Sequence, residues 1–593
     1  MHSDDAQAPR RDGPVVPCLP LRVGVILRGA GTVFPEWQAR CLRRLLGVGG
    51  VEIALLVVDE RTPDSGVSTG CRGFAPRIGG LLWALYGSRW VDRRSRAMRP
   101  VRRTEVLVGV PEMRLHDGGP EAASAPIEGL DAIRAVNLDI VLDFGGRLLS
   151  DDLTGLARYG VWSFGFGEPS EAGDDHAGLW AVYRGDSVTR AALKRLPEHG
   201  APGATLYDGY FKTIRYSFPR HRDAVLRGVA DWPARACRRI LAGVPLLSGP
   251  VVTPPSPRVA QHAIPTTPQM IRLLGVTAWR FARTASAALL YTDEWNIGIA
   301  EAPIDRFLDP GAPPQIRWLP QASAGSFLAD PFGTVQGSTD VVLVEEFEYR
   351  TGKGRIAAIA VEPGTTLTPP APVIEASVHL SYPYLIAHAG QTYCVPEMHQ
   401  AGEVRLYRAT AFPREWVRCA TLIEGFAAAD ATVFRHEGRW WLLCSEEEHH
   451  PNTTLHAWYA DDLHGPWTAH ATNPVKTDVR SSRPAGTPFV HDGCLYRPAQ
   501  DCSKTYGGAV VINQVRKLTP TEFEEEPVAN VDPDRHGPYP HGLHTLSAWG
   551  QRTLIDGKRR RFMPGASWRR VRTIGTRLTA RGRDRLEWSP RAR

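Results

Sequence analysis

The sequence lacks the features of a membrane-spanning or secreted protein. No uninterrupted apolar run reaches the length of about 18 residues that a membrane-spanning helix needs. The N-terminal segment MHSDDAQAPRRDGPVVP is polar and acidic, whereas a secretory signal is basic and then apolar. The nine cysteines include no CxxC pair, and an odd number favours a reducing compartment over a disulfide framework. We therefore expect a cytoplasmic protein.

Charge of one sign is not in large excess either. The chain has 70 lysines and arginines against 63 aspartates and glutamates, a net charge of +7. The basic residues concentrate in RWVDRRSRAMRPVRRTE (89–105) and in the C-terminal segment from Lys558 onward. Neither stretch has the interleaved aromatic residues of a nucleic-acid stacking platform. We expect no specific nucleic-acid partner, and weak contact with an anionic membrane surface stays open.

The first half of the chain has the pattern of an open α/β domain. The apolar stretch LRVGVILRG starts at residue 21 and is followed by the amphipathic FPEWQARCLRRLLGVGG and the apolar VEIALLVVDE. A buried strand, a helix and a second buried strand form a βαβ unit, which implies a parallel sheet. A further strand of this type is LDIVLDFGG (138–146). We predict a disordered tail over 1–20, a parallel-sheet domain over 21–230 and a connecting segment over 231–300.

The second half repeats with a period of about 50 residues. Five short strands each end in an acid: Glu346, Glu397, Glu446, Asp501 and Asp556, spaced by 51, 49, 55 and 55 residues. Each strand follows another apolar strand across a glycine-containing turn, as in HEGRW and HDGCL, which is a hairpin signal. Hairpins repeated in this way are typical of a β-propeller. We predict a five-bladed propeller over 301–570, followed by a basic tail over 571–593.

The propeller geometry predicts a polar pocket. The first strand of each blade lines the central channel and the second runs antiparallel to it, so the start of one and the end of the other share a rim. Paired carboxylates on that rim suit glycoside chemistry. We predict the catalytic residues Asp330, Asp430, Glu397 and Asp501. We predict the substrate-binding residues Arg483, His379, His399, Glu346, Glu446 and His544.

Two other interpretations of these residues stay open. Acids at repeated blade positions also cap turns and bond neighbouring blades, without touching a ligand. The adjacent His449 and His450 suggest a metal, but adjacent residues of a strand point to opposite faces, which favours an exposed loop. We expect no metal ion and no cofactor in the propeller.

The propeller segment resembles known carbohydrate-active proteins. Its ADPF and ADATVF motifs, with the five-fold repeat, resemble the propellers of arabinanase- and invertase-type glycoside hydrolases. Several motifs in the same order resemble the N-terminal domain of plant glucosamine inositolphosphorylceramide transferase and its bacterial relatives: HLSYPYLI, YCVPEM, LYRATAFPREW, HGPWTAHATNPV, RPAG, YRPAQDCSKTYG and GLHTLSAWG. In the plant protein a separate glycosyltransferase domain carries the sugar transfer, and no such domain is recognised here. The resemblance implies a saccharide ligand.

The chain departs from the hydrolases at one position. The resemblance matches Asp330 and Asp430 to the hydrolases' two inner-strand aspartates, but places Arg483 where their blade four supplies a glutamate as general acid. A guanidinium does not donate a proton at neutral pH, because its pKa exceeds about 12. Either Glu397 or Asp501 replaces the acid, or the site binds without cleaving.

The N-terminal half resembles the formyltransferase fold. The resemblance rests on three motifs in this order: LDIVLDFGG, LLSDDLTGLARYGVWSF and AGLWAVYRGDSVTRAALKRL. The family's chemistry uses an asparagine, a histidine and an aspartate, and those positions hold Ser163, Gly165 and, approximately, Gly200 in this chain. The resemblance therefore implies a catalytically degenerate domain. Asp174, Asp175 and His176 are the nearby polar residues that would have to compensate.

Three functions follow from these patterns. The first is a carbohydrate-active protein of cell-surface glycan or glycolipid biosynthesis, with a saccharide, nucleotide sugar or glycolipid on the propeller. The second is a sugar N-formyltransferase that uses formyl-tetrahydrofolate. The third is a scaffold on which the propeller docks a partner glycosyltransferase.

Overall fold

The computed structural model describes residues 20–28, 32–59, 82–83, 85–115, 130–144, 155–167, 177–197, 203–246, 251–252, 265–309, 311, 314–322, 325–336, 339–361, 368–448 and 451–563. The predicted tails, residue 20 aside, lie outside these residues, as do Asp174, Asp175, His176, Gly200, His449 and His450.

The N-terminal domain is built on an open eight-stranded sheet. Its strands, in spatial order, are Val251–Val252, Gly203–Lys212, Val188–Arg195, Val161–Phe166, Ile140–Asp143, Leu21–Arg28, Val51–Asp59 and Glu112–Leu115. The last five run parallel to one another, and the first three are antiparallel to their neighbours. The predicted parallel sheet is therefore confirmed as the larger part of a mixed sheet.

Amphipathic helices cover this sheet. In Glu36–Leu46, the residues Trp37, Cys41 and Leu45 recur every fourth position, so they fall on one face and are buried. The other helical segments are Tyr86–Val91, Asp92–Arg94, Arg103–Glu105, Leu130–Ala135, Leu179–Arg184, Phe218–Val229, Trp232–Leu241 and Thr267–Leu290. A two-stranded sheet joins Val33–Pro35 to Pro100–Arg102. None of the described helices is long and apolar enough to cross a membrane.

The second half forms the predicted five-bladed propeller. From the channel outward, blade 1 holds Ser326–Gln336, Thr339–Glu348, Lys353–Val361 and Ala371–Ile374. Blade 2 holds Ser381–His388, Gln391–Glu397, Glu403–Ala411 and Glu415–Glu424. Blade 3 holds Ala428–His436, Arg439–Glu446, Thr454–Ala460 and Thr468–Ala469, with Lys476–Thr477 on the far end of its third strand. Blade 4 holds Phe489–His491, Cys494–Asp501, Ala509–Leu518 and Phe523–Val531.

Blade 5 joins the two ends of the propeller segment. Its strands are Leu546–Trp549, Arg552–Phe562, Tyr291–Ala300 and Ile316–Trp318. All ten residues of Tyr291–Ala300 pair with Arg552–Phe562. The propeller therefore begins before residue 301, and the segment 231–300 is more than a connection, because it also carries the helices Trp232–Leu241 and Thr267–Leu290. Two short 3-10 helices, Ile304–Leu308 and His399–Ala401, lie within the propeller segment.

The hairpin turns between first and second strands follow the expected chemistry. In blades 2, 3 and 4 the turn has two consecutive residues of positive φ, which is the type I′ geometry that suits twisted strands. These pairs are Ala389 and Gly390, Glu437 and Gly438, and Asp492 and Gly493. The glycine in HEGRW and HDGCL thus stands where the backbone is left-handed.

Candidate functional site

A repeated bulge shapes the channel end of three inner strands. In blade 1 Ala329 pairs with Glu345, but the next pair is Phe332 with Leu343, so the inner strand has one extra residue. Blades 2 and 3 show the same shift. The bulge puts three residues in the left-handed region, namely Asp330 (φ 50°), Tyr382 (φ 43°) and Asp430 (φ 53°). Side chains at these positions leave the regular alternation of the strand.

The partner strand decides which acids face inward. Glu345, Glu397 and Ser445 occupy equivalent positions, because each pairs with the residue just before a bulge. All three are buried. Glu346 and Glu446 each lie one residue later, where a strand side chain points to the opposite face. Their predicted place in the pocket is therefore wrong, and Glu346 instead binds Arg355, 3.0 Å away near the surface.

Asp501 is displaced in the same way. It lies one residue beyond the buried Gln500, whose amide donates to Asp430 Oδ2 at 2.7 Å. Asp501 itself accepts the Ser503 N–H at 2.8 Å, which is a turn-capping contact. Its predicted catalytic role has no support in its position, since it does not line the cavity.

Asp330 and Asp430, the aspartates at the bulges, each donate their backbone N–H to an acid of a neighbouring blade. Glu397 Oε2 accepts the Asp430 N–H at 3.0 Å, and Asp556 Oδ2 accepts the Asp330 N–H at 3.2 Å. Asp330 in turn accepts the Thr545 hydroxyl at 2.9 Å and the Tyr382 N–H at 3.2 Å. These bonds cross from blade to blade and stabilise the left-handed backbone at both aspartates.

Arg483 lies at the centre of the charged network. Its Nε and Nη2 bind both oxygens of Asp430 at 2.5 and 3.2 Å, and Nη2 reaches Glu397 at 3.4 Å. Its Nη1 donates to Glu447 and Asn452, each at 3.0 Å. The fork geometry of a guanidinium suits this bidentate contact. Asp430 therefore serves as a partner of Arg483 rather than as a free carboxylate, and it does not line the cavity.

A cavity of about 370 Å³ opens beside this network at the channel mouth. The predicted residues Asp330, Glu397, Arg483, His379, His399 and His544 all line it. So do residues that the sequence analysis missed: Trp295, Phe327, Ala329, Glu345, Phe347, Ser381, Glu447, Asn452 and Tyr506. Aligning the repeat on Glu397, rather than on the last acid of each strand, would have found Glu345, which stands 52 residues before it in the sequence.

Aromatic rings form one wall of the cavity. The His544 imidazole stacks on Trp295 with ring centres 3.9 Å apart and lies edge-on to Tyr506 at 5.4 Å. Phe327 and Phe347 stack at 4.8 Å on the blade 1 side. The fully buried Lys558 donates to the backbone carbonyl of Tyr506, and burial lowers the pKa of its ammonium to about 8.

The carboxyl groups of the cavity differ in their affinity for protons. Burial, together with the nearby charges of Asp330 and Glu397, raises the pKa of Glu345 well above its usual range. Burial alone would raise the pKa of Glu397 as well. There, however, the hydrogen bond from His399 at 2.8 Å and the charge of Arg483 hold the pKa well below its usual range. The cavity thus places a carboxyl group of raised proton affinity near one of lowered proton affinity.

His379 lies beside Glu345. Its Nδ1 accepts the Gly354 N–H at 2.8 Å, which leaves Nε2 facing Glu345 Oε1 at 3.5 Å. Burial lowers the pKa of His379, so the ring is neutral near pH 7. The imidazole therefore lies beside the carboxyl without supplying a charge that would ionise it.

One cluster in the described part of the chain brings metal-ligand types together. Donor atoms of Asp330, His544 and Asp556 lie within 4.8 Å of one another. They are also engaged with one another, since His544 Nδ1 contacts Asp556 at 2.5 Å and His544 Nε2 lies 3.7 Å from Asp330. Hydrogen bonding within the cluster accounts for this arrangement.

Comparison with known proteins matches this part of the chain to a family. Residues 318–537, which span blades 1 to 4, match the family model described as glucosamine inositolphosphorylceramide transferase 1, N-terminal. The resemblance expected from the sequence is confirmed there. Glucosamine inositolphosphorylceramide transferase 1 of Oryza sativa subsp. japonica is 37% identical over 209 residues, and that of Arabidopsis thaliana is 34% identical over 206. Each match covers 34% of this chain but only 28% and 27% of the relative.

Solved structures resemble the chain more distantly. An exo-β-1,3-galactanase from Clostridium thermocellum matches with a TM-score of 0.30 and 13% identity, over 36% of this chain and 52% of its own. A family 117 glycoside hydrolase from Zobellia galactanivorans matches with a TM-score of 0.29 and 11% identity, over 46% and 91%. TM-scores this low support no conclusion about this chain. The assignment of a propeller rests on the five blade sheets described above.

The structure describes two of the three predicted site positions of the N-terminal domain. Ser163 is buried within Val161–Phe166 and pairs with Asp143 and Lys194. A Cβ atom at Gly165 would stand 2.9 Å from Lys194 Nζ, so the lysine side chain fills the space beside the glycine. Burial lowers the pKa of this lysine. Gly200, the third predicted position, lies outside the described residues.

Proposed function

We propose that the propeller cavity binds a saccharide unit during the synthesis of a cell-surface glycan or glycolipid. The observation that carries the proposal is the lining of the cavity, in which carboxyl, imidazole and guanidinium groups face a wall of aromatic rings. Aromatic rings pack on the apolar faces of sugars, and charged groups bind sugar hydroxyls. The name of the matched relatives, transferases of glucosamine inositolphosphorylceramide, supports a glycolipid or its head group as ligand.

We further propose that the cavity acts on its saccharide by glycosyl transfer or hydrolysis. Carboxyl groups whose surroundings move their pKa values apart are typical of acid and base pairs. Glu345 is the candidate proton donor, because its raised pKa favours the protonated form and His379 Nε2 lies 3.5 Å from its Oε1. Glu397, whose pKa is held low, is the candidate second carboxyl. Burial raises the pKa of Asp330 as it does that of Glu345, and Asp430 is bound by Arg483.

Calorimetric titration tests the binding proposal. The protein is titrated with glucosamine, inositol phosphates, nucleotide-linked hexosamines and oligosaccharides, and we expect saturable binding to at least one of them. Glu345→Gln weakens this binding, while the matched variant Glu346→Gln, which alters the adjacent surface acid, leaves it unchanged. Absence of binding by the folded protein, or equal effects of the two variants, contradicts the proposal.

We propose that the N-terminal domain is formyltransferase-like. The strand order supports this proposal, because Leu21–Arg28, the first strand of the chain, lies in the middle of the five parallel strands. Retained formyl transfer to an amino sugar is the alternative function, and a folate analogue would then raise the melting temperature of the protein. A scaffold role for the propeller predicts instead that Asp330→Ala leaves function intact. For each of these three functions, we propose that the protein is cytoplasmic.

A further inference from the structure

The helix Thr267–Leu290 is almost unsupported by the rest of the protein. Of its 24 residues only Met270 and Leu273 are buried, in a cluster with Leu179, Val182 and Phe218 of the N-terminal domain. Beyond that first turn, Arg280 donates to the Val182 carbonyl at 2.7 Å. A capping box at Thr266 and Gln269 begins the helix. Arg272 also lies over the Tyr183 ring, 4.9 Å from its centre, and the edge of the contact is marked by Phe281, whose ring centre is 6.2 Å from that of Tyr216. One side of the helix is thus anchored, and most of the remaining surface is exposed.

The outward face is apolar. Ile271, Leu274, Ala278, Phe281 and Ala285 recur at alternating spacings of three and four, which places them in one stripe of a helix. Ile271 is 62% exposed and Phe281 57%. Seven of the 18 large hydrophobic residues that are exposed in the described chain lie between Ile271 and Tyr291: Ile271, Leu274, Trp279, Phe281, Leu289, Leu290 and Tyr291.

The flanks of this stripe are basic and aromatic. The helix carries Arg272, Arg280 and Arg283 and no acidic residue. Arg283 lies over the ring of Trp279, 4.9 Å from its centre, and Trp279 is 60% exposed. An apolar stripe flanked by arginines and tryptophan is the pattern of helices that lie in the interface of a bilayer.

The apolar surface continues past the end of the helix. The Leu290 carbonyl accepts the Met563 N–H at 2.8 Å, and Tyr291 contacts Phe562, which is 60% exposed. From this point the sequence 564–593 adds nine arginines and only two acids. The sequence that follows Met563 is therefore basic, as the helix is.

We propose that the helix Thr267–Leu290 lies in the surface of an anionic lipid bilayer, with Leu274 and Phe281 below the head groups and Arg283 at their level. Burial of the apolar stripe supplies the affinity, and the absence of acids on the helix favours anionic over neutral lipid. A second copy of the chain is a poorer occupant, because pairing two such faces brings like charges together. The proposal does not depend on which ligand fills the propeller cavity.

Flotation with lipid vesicles tests the proposal. The full chain is mixed with vesicles of phosphatidylcholine alone or of phosphatidylcholine with phosphatidylglycerol. We expect binding to the mixed vesicles, weak binding to the neutral ones, and a decrease as salt is added. Phe281→Glu should reduce binding to the mixed vesicles about tenfold or more, because it removes a large apolar side chain and adds a negative charge.

A matched variant separates the helix face from charge alone. Ser286→Glu makes the same charge change five residues away, which is about 140° around the helix from Phe281, and should reduce binding far less. Both positions are exposed, so both variants should melt like the parent protein. Equal losses in the two variants, no binding to mixed vesicles, or a dimer that Phe281→Glu dissociates would each overturn the proposal.

Discussion

At the scale of single residues, adjacent acids have opposite roles in blade 1. Glu345 is buried in the cavity with a raised pKa, whereas Glu346 is bound to Arg355 near the surface. A group whose folded pKa lies above its unfolded value contributes stability at low pH, and loses it as pH rises above the unfolded value of 4.5. Glu345 therefore costs stability near neutral pH.

The first prediction follows from this loss of stability as the pH rises. Glu345→Gln cannot ionise, so its unfolding free energy should fall less between about pH 5 and about pH 8 than that of the parent protein. Urea denaturation at both pH values measures the difference. Glu346→Gln is the control and should keep the parental pH dependence. A Glu345→Gln variant with parental pH dependence would show that this carboxyl is ionised at neutral pH.

The second prediction concerns the buried guanidinium. Arg483→Met leaves Asp430 and Glu397 buried without their cation, so we expect a loss of about 3–5 kcal/mol in unfolding free energy. Arg355→Met removes an exposed partner of Glu346 and should cost less than about 1 kcal/mol. Adding Asp430→Asn to Arg483→Met should recover part of the loss. If the double variant is no more stable than Arg483→Met, the pair is not the source of the cost.

At the scale of elements, one strand closes the propeller. Tyr291–Ala300 pairs along its whole length with Arg552–Phe562, and Ile297 in it is fully buried. Proline at this position removes a backbone donor from the middle of a sheet. We expect Ile297→Pro to lower the melting temperature strongly or to prevent folding.

A conservative change at the same position provides the control. Ile297→Val keeps the backbone donor and should cost only about 0.5–1.5 kcal/mol. Thermal unfolding followed by circular dichroism compares the two variants. Parental melting of Ile297→Pro would mean that the propeller closes without this strand.

At the scale of the whole molecule, the strand Gly203–Lys212 and the helix Trp232–Leu241 of the N-terminal domain contact the propeller over residues 474–480. The Val479 N–H donates to the Tyr210 carbonyl at 2.9 Å, and Arg480 lies over the Tyr210 ring at 3.6 Å. Asp478 holds that arginine with both of its carboxylate oxygens. Arg235 of the N-terminal domain donates to the Pro474 carbonyl. We expect these contacts to couple the unfolding of the domains.

The fourth prediction tests that coupling. Tyr210→Ala removes the ring beneath Arg480, a contact of about 0.5–2 kcal/mol. In calorimetry we expect the transition to broaden or split and its first part to shift down by about 2–4 °C per kcal/mol lost. Tyr459→Ala, which removes a ring beneath Arg439 inside blade 3, should lower the transition without splitting it. Two unchanged transitions in Tyr210→Ala would mean that the domains unfold independently.

The blade number and the parallel sheet could be predicted from local pattern alone. Each blade carries its own alternating strands and its own glycine turn, so a period of about 50 residues is visible without any long-range information. The same holds for the apolar strands of the N-terminal domain, because a strand covered on both faces is apolar throughout. The closeness of Asp430 to Arg483 could be predicted for the same reason, since repeat position predicts radial position.

The direction of individual side chains depended on the tertiary structure. Side chains alternate along a strand, so an error of one residue moved Glu346, Glu446 and Asp501 to the wrong face and hid Glu345. The closing strand Tyr291–Ala300 could not be recognised because its partner lies more than 250 residues away in the sequence. Pairing between such distant segments leaves no local pattern, since their contact forms only when the propeller closes.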